Sequence, residues 1–323
     1  MNAMDIVELV TPAELEAAMR DHLARRRLPD EFLYLGPEGA GQWLDLDESA
    51  AFGVASDLTD LLRASVADIA AEVPEDVTVV GLGVGGGRKE RILLEALPPR
   101  PGRRYLAVDV SRPLVETALD AVADLPVDAC GATARIDDLD RLRPHAEPPL
   151  LLCLLGNTFS NAEPHHLLEA VRRWLAHGDH FLFDCHLGPD PRHDDPAWRR
   201  EVEAAYGSAE NARFNLGPLT ARGVPEDACR FSLRLGRVPS RLGPTWRTTK
   251  TIRMLRDVEV PFEGGPVRLN EGDAIGMGFT YKHTRRQVIR WLTEAGFGVR
   301  ALFADRGRTN LLVLAQKGAR SHR

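Results

Sequence analysis

The sequence predicts an α/β fold: a doubly wound, mostly parallel sheet, joined by a second, smaller α+β unit. Three observations carry this. Val79 to Lys89 runs from a short β-branched stretch into a cluster of glycines, and the amphipathic run Ile92 to Leu97 follows at once. That order reads as strand, tight turn, helix. Apolar strands and amphipathic stretches then alternate as far as Cys185, at the lengths of βα units. After His186 the alternation breaks at Gly188-Pro189-Asp190-Pro191, and the β segments that follow lie close together, as antiparallel strands do.

Taken in order, Thr11-Pro12-Ala13-Glu14 is a helix start, with a capping threonine, proline at the first helical position and a returning glutamate. This helix should reach about Arg26. Leu28 to Asp47 reads as irregular, with Tyr34 just before a glycine-rich turn. A second helix, from about Ala55 to Glu72, leads into the first strand. Tyr105 to Val110 is the second strand, and it carries Asp109 at its end. Pro113 to Leu125 is expected to be a helix, Ala134 to Ile136 a short strand ending at Asp137 and Asp138. Leu150 to Leu155 has the continuous apolar character of a central strand buried on both faces. Helix Pro164 to Ala176 and strand His180 to Cys185 complete this half. Beyond the break, Asp194 to Tyr206 and Ala209 to Asn215 read as helices. Phe231 to Leu235, Thr249 to Leu255 and Asp257 to Leu269 read as strands. Helix Thr284 to Ala295 and strands Val299 to Phe303 and Asn310 to Ala315 close the chain, with Gly318 to Arg323 expected to be disordered.

The 323 residues suit one large domain or two intimate ones, and 44% hydrophobic residues suffice for a full core. A net charge of −6 argues against a dedicated nucleic-acid binder. Cys130, Cys153, Cys185 and Cys229 are scattered and read as free thiols. No signal peptide or membrane-length apolar run is evident, so a cytoplasmic, soluble protein is expected, without a membrane partner. Oligomeric state is not legible. His165, His166, His177 and His180 read as surface residues, and no metal site is expected.

Glycines at a strand–helix turn permit positive φ and close approach of a nucleotide-shaped ligand. An acid at the end of the second strand suits the two hydroxyls of a ribose. Two architectures share these features: the dinucleotide fold of dehydrogenases, and the methyltransferase variant that binds S-adenosylmethionine and ends in an antiparallel strand. The final strand pair, joined by Asp305 to Arg308, favours the second. So do Asp137 and Asp138, which would bond an adenine amino group, or else lie in a solvated loop.

Three segments extend the case: Gly83 to Lys89, Val108-Asp109-Val110 and Leu155-Gly156-Asn157-Thr158-Phe159-Ser160-Asn161. Together with Phe32-Leu33-Tyr34, Phe214-Asn215 and Thr280-Tyr281-Lys282, they resemble the histidine-specific methyltransferase family, whose members make trimethylhistidine or, in fungi, methylate a prenylated tryptophan. The likeness spans about Glu31 to Ala315. It implies a Rossmann-like class I methyltransferase domain (residues 56–189 and 281–323) and a substrate domain (residues 1–55 and 190–280). It implies S-adenosylmethionine as cofactor, with Gly83 and Gly85 beside its methionine part, Lys89 near the first helix turn, Asp109 on the ribose, and Asp137 and Asp138 by the adenine. Asn157 belongs to the same cofactor set. Asn161 would hold an amino-acid carboxylate and Tyr34 would stand by the amine, the two residues expected to be catalytic. His186, Tyr206, Phe214, Asn215, Gly278 and Thr280 are further substrate-site candidates. Trp43, Phe159 and Phe279 join Tyr206 and Phe214 in an aromatic set that either lines a pocket or simply forms core.

Two departures matter. The family's acid two residues before the first motif glycine is Gly81 here, and the Glu-Val-Ser segment that grips the imidazole is Gly278-Phe279-Thr280. The hydroxyl is kept and the carboxylate is lost, which points away from histidine. The expected activity is therefore methyl transfer to the α-amino group of another amino acid or derivative. The alternatives are carbon or oxygen methylation of a specialised metabolite, a nicotinamide-dependent oxidoreductase, and a non-catalytic relative that binds the cofactor.

Overall fold

A computed structural model describes residues 5–49 and 54–318. Strand β1 (Ile6–Glu8) precedes α1 (Pro12–Ala24), closed by the expected capping box: Thr11 Oγ1 accepts the Glu14 N–H, and the Glu14 carboxylate accepts the Thr11 N–H at 2.8 Å. After β2 (Arg27–Leu28) comes a 3₁₀ turn, Asp30–Tyr34, and then α2 (Gly36–Glu48). The stretch read as irregular is thus largely helical. Its proline lies at the helix start, where a missing N–H costs nothing.

Helix α3 (Val54–Glu72) leads to β3 (Thr78–Leu82), α4 (Arg88–Ala96), β4 (Arg103–Asp109), α5 (Arg112–Asp120) and β5 (Val127–Thr133). The third strand therefore ends before Ala134 rather than starting there. Asp128 and Gly131 hide it from an apolar-run reading, and Gly131 is bare because Val115 and Ile6 pack against it. Next come α6 (Leu139–Leu142), β6 (Leu150–Leu154), a 3₁₀ turn at Thr158–Asn161, α7 (Pro164–Trp174) and β7 (His180–His186). Helices α8 (Pro196–Tyr206) and α9 (Ala209–Thr220) precede β8 (Cys229–Val238) and β9 (Thr245–Met254). The single strand expected over Asp257 to Leu269 is a hairpin, β10 (Val258–Val260) and β11 (Val267–Leu269), because Gly264 and Gly265 turn the chain between them. Strand β12 (Ala274–Lys282), which the sequence reading missed, is followed by α10 (Arg285–Glu294), β13 (Phe297–Ala304) and β14 (Asn310–Lys317). The tail expected to be disordered lies, after Gly318, outside the described residues.

The large sheet has eight strands in the order β1-β5-β4-β3-β6-β7-β14-β13. It is parallel up to β7; β14 then runs antiparallel to both β7 and β13. Val79 and Val80 show why it needs cover on both sides: consecutive residues point to opposite faces, and both are fully buried. Strand order reverses between β3 and β6, the place where an open α/β sheet leaves a crevice at its carboxyl ends. A four-stranded sheet, β2-β12-β9-β8, forms the smaller layer and packs on α1 and α9 through Met19, Leu23, Leu219 and Ile252.

Candidate active site

A cavity of about 530 Å³ opens at that crevice. Its floor is the turn after β3. Gly83 has φ +66° and Gly85 φ +52°, conformations that disfavour a side chain, and above Gly83 nothing lies nearer than Thr158 at 3.8 Å. The backbone at Gly83 is therefore bare towards the cavity, whereas Gly85 lies under the Trp43 indole, whose Nε1 would stand 2.9 Å from a Cβ there. Asp109 ends β4 beside it, 7% exposed. Its carboxylate accepts the Gly85 N–H at 3.3 Å and the Ser111 N–H at 3.0 Å. Burial still raises its pKa to about 6. Lys89, from the first turn of α4, reaches to 3.9 Å from Asp47 of α2. Asp137 lies at the rim. Asp138, next to it on the 3₁₀ turn, is half-buried and does not reach the cavity wall.

The second wall comes from the loop after β6. Asn157 takes the left-handed conformation, φ +64°. Buried Asp184 of β7 holds it there by accepting the Gly156 N–H at 2.9 Å and the Asn157 N–H at 2.5 Å. The Asn157 amide is committed at both ends: Oδ1 accepts the His186 N–H at 2.8 Å, and Nδ2 donates to the Tyr206 hydroxyl at 3.3 Å. Asn161, one turn on, accepts the Thr280 hydroxyl at 2.8 Å through Oδ1, which leaves its Nδ2 as a donor. Tyr34, Trp43 and Phe214 pack ring against ring at 5.4 to 5.7 Å and line the cavity with Asn215. Burial and the carboxylates of Asp30, Asp109 and Asp47 keep the Tyr34 phenol protonated.

Two expected residues lie behind the wall. Gly278 is covered by Asp30: a Cβ at 278 would collide with the Asp30 carboxyl. That carboxylate is bonded to Lys250 at 2.7 Å, and both line the cavity. A carboxylate thus stands against Gly278, and it is paired with its own cation. His186 sits beneath Tyr206, its Nδ1 3.0 Å from Lys282 Nζ. Lys282 is fully buried, donates to the Tyr206 hydroxyl at 2.7 Å, and burial lowers its pKa to about 7. Of the aromatic set, Phe159 is core, stacked on Phe183 at 4.3 Å, and Phe279 lies under Arg247. Sequence reasoning missed Asp30, Lys250, Glu90 and Asp184, and assigned Lys282 no role. Nothing local marks them.

A glycine turn, an acid-ended second strand and a final antiparallel strand pair define a class I methyltransferase. The donor set fits S-adenosylmethionine: backbone bare at Gly83, a buried carboxylate with lone pairs to spare and a lysine beside them. A model of histidine-specific, S-adenosylmethionine-dependent methyltransferases matches residues 14–317, and the chain belongs to that family. Over 96 residues it is 36% identical to the N-methyltransferase dtpB of Aspergillus flavus, a match covering 29% of this chain and 26% of that protein. The structure of an S-adenosylmethionine-dependent methyltransferase from Clostridium acetobutylicum is similar over 82% of this chain and 92% of that one, with 11% identity and a TM-score of 0.43. The CurJ carbon methyltransferase is similar over 96% and 72%, with 14% identity and a TM-score of 0.48. The family is one of S-adenosylmethionine-dependent methyltransferases, and the chain spans about a quarter of the length of the curated relative it matches.

Proposed function

We propose that this enzyme methylates the α-amino group of an amino acid, or of a derivative, other than histidine. The observation that carries the reading is the Asn161–Thr280 pair. The Thr280 hydroxyl fixes the Asn161 amide with its NH₂ outward, as recognition of a carboxylate requires. Tyr34 faces the same cavity and would orient the amine, inside an apolar wall of Trp43 and Phe214. Gly83, Gly85, Lys89, Asp109 and Asp137 would hold the cofactor, which supplies a methyl group already activated by its sulfonium. Asn157 would serve through its backbone and by holding Tyr206. Methyl transfer then needs alignment and exclusion of water more than strong acid–base chemistry.

Histidine is disfavoured at one position: beside Gly278, where the resembled family carries the acid that grips the imidazole, the carboxylate present is Asp30, already paired with Lys250. Each methyl placed on an N–H acceptor releases a proton. Tyr206, Lys282 and His186 form a continuous hydrogen-bonded line leading from the cavity, so Tyr206 would accept this proton while passing its own to the neutral Lys282 amine. The substrate side would be built by residues 1–55 and 190–280, with the remainder holding the cofactor.

Calorimetric titration of S-adenosylmethionine into wild type and Asp109→Ala is the first test: binding that the variant loses is expected, and equal binding by both removes Asp109 from its role. A panel of amino acids and derivatives, read by mass spectrometry, then locates the methyl group. Asn161→Ala should retain cofactor binding and lower kcat/KM by about tenfold to a hundredfold. Efficient turnover of histidine, or a methyl found on carbon or oxygen, overturns the reading.

A further inference from the structure

We propose that Glu90 is the counter-ion for the α-ammonium group of the bound cofactor. Glu90 is the third residue of α4, 2% exposed, and forms part of the cavity wall. Among the described residues no ion pair or side-chain hydrogen bond holds its carboxyl, which takes only its own backbone N–H. A carboxylate is rarely buried without a cation.

The space it fills is the one Gly81 leaves open. A Cβ built on Gly81 would lie 3.1 Å from Glu90 Cγ and 3.3 Å from Oε1, besides 2.6 Å from Val84 Cγ1. A carboxyl from helix α4 thus stands, with Val84, in the space beside Gly81, the position at which the resembled family carries an acid. The titratable groups that face it are Lys89 on its own helix, Asp109 and Tyr105 on β4, Cys153 on β6 and Asp184 on β7. Lys89 is the single cation in that set, and Asp47 lies 3.9 Å from it. A ligand that brings an ammonium completes the balance. The amino-acid end of S-adenosylmethionine carries an ammonium and a carboxylate, and Glu90 and Lys89 are the adjacent acid and base that match them. Burial raises the Glu90 pKa to about 7, so the carboxyl is partly protonated until such a cation arrives.

The test compares three ligands by calorimetry on wild type and Glu90→Gln near neutral pH: S-adenosylmethionine, S-adenosylhomocysteine, and 5′-methylthioadenosine, which lacks the amino-acid end. Loss of about tenfold or more is expected for the first two, with the third changed less than about twofold. Equal loss for all three, or no loss for any, overturns the proposal. Loss for S-adenosylmethionine alone also overturns it, since the carboxyl would then face the sulfonium. Should Glu90→Gln fail to fold, wild type suffices. At about pH 6 its binding of S-adenosylhomocysteine should release more protons than its binding of 5′-methylthioadenosine, measured in buffers of different ionisation enthalpy. Equal release by the two ligands sinks the proposal.

Discussion

A lysine sealed from water, with no carboxylate bonded to it, is an uncommon residue. Among the described residues, the Lys282 amine has only the Tyr206 hydroxyl and His186 Nδ1 within bonding distance, and its position over the Tyr206 ring, 4.4 Å from the centroid, adds a cation–π contact. Its pKa falls from 10.5 to about 7 on folding. The unfolded chain therefore binds more protons between those values, and this group's contribution to stability rises with pH across that window. Lys282→Met should flatten the rise, seen by comparing urea midpoints at about pH 7 and about pH 9. With the methyl acceptor in hand, wild-type kcat should climb through about pH 7 as Lys282 loses its proton. The variant should lack that limb and be slower by at least about tenfold. An unchanged pH profile in the variant would show that Lys282 only pins Tyr206.

At the scale of elements, β12 shows how one strand end sets a site. Its pairing with β9 shifts register between Gly276 and Phe279, so the strand bends where it meets the cavity. The bend leaves Gly278 under Asp30, while Thr280 reaches Asn161 and Lys282 reaches Tyr206. Gly278→Ala pushes a methyl group into the Asp30 carboxyl and breaks the Asp30–Lys250 pair. A loss of about 1–3 kcal/mol in denaturant unfolding is expected, with S-adenosylmethionine affinity within about twofold of wild type, because the residues proposed to hold the cofactor lie on other elements. A large fall in cofactor affinity would show the two walls to be coupled.

Across the whole molecule, the cavity joins elements distant in the chain: α2 from before the first βα unit, the turns after β3, β4 and β6, and β12 from the second sheet. A ligand seated there binds the folded state alone. S-adenosylmethionine at about 100 times its Kd should therefore add about 2.7 kcal/mol. For a chain of 323 residues that raises the melting temperature by roughly 4 °C. Thermal melts with and without ligand check this, and Asp109→Ala should show little of the rise.

The sequence by itself determined the parallel half of the molecule and the glycine turn after β3. Strand–glycine–helix order, an acid at a strand end and a buried apolar run are local signals, readable within about ten residues. It also placed Tyr34, Asp109, Asn161 and Thr280, whose motifs carry them to one cavity. Only the tertiary structure decided the charges around them. Lys282 meets His186 across 96 residues and Tyr206 across 76, and Lys250 meets Asp30 across 220. Helix α2 was read as irregular on its prolines and glycines, when Gly36 starts the helix, and strand β12 was not read at all, its Gly278 making room for a carboxylate. A glycine states only that something lies close; which side chain fills the space is settled when distant elements pack. That is why Gly81 and Gly278 read in the sequence as two missing acids, and stand in the fold as the places that admit Glu90 and Asp30.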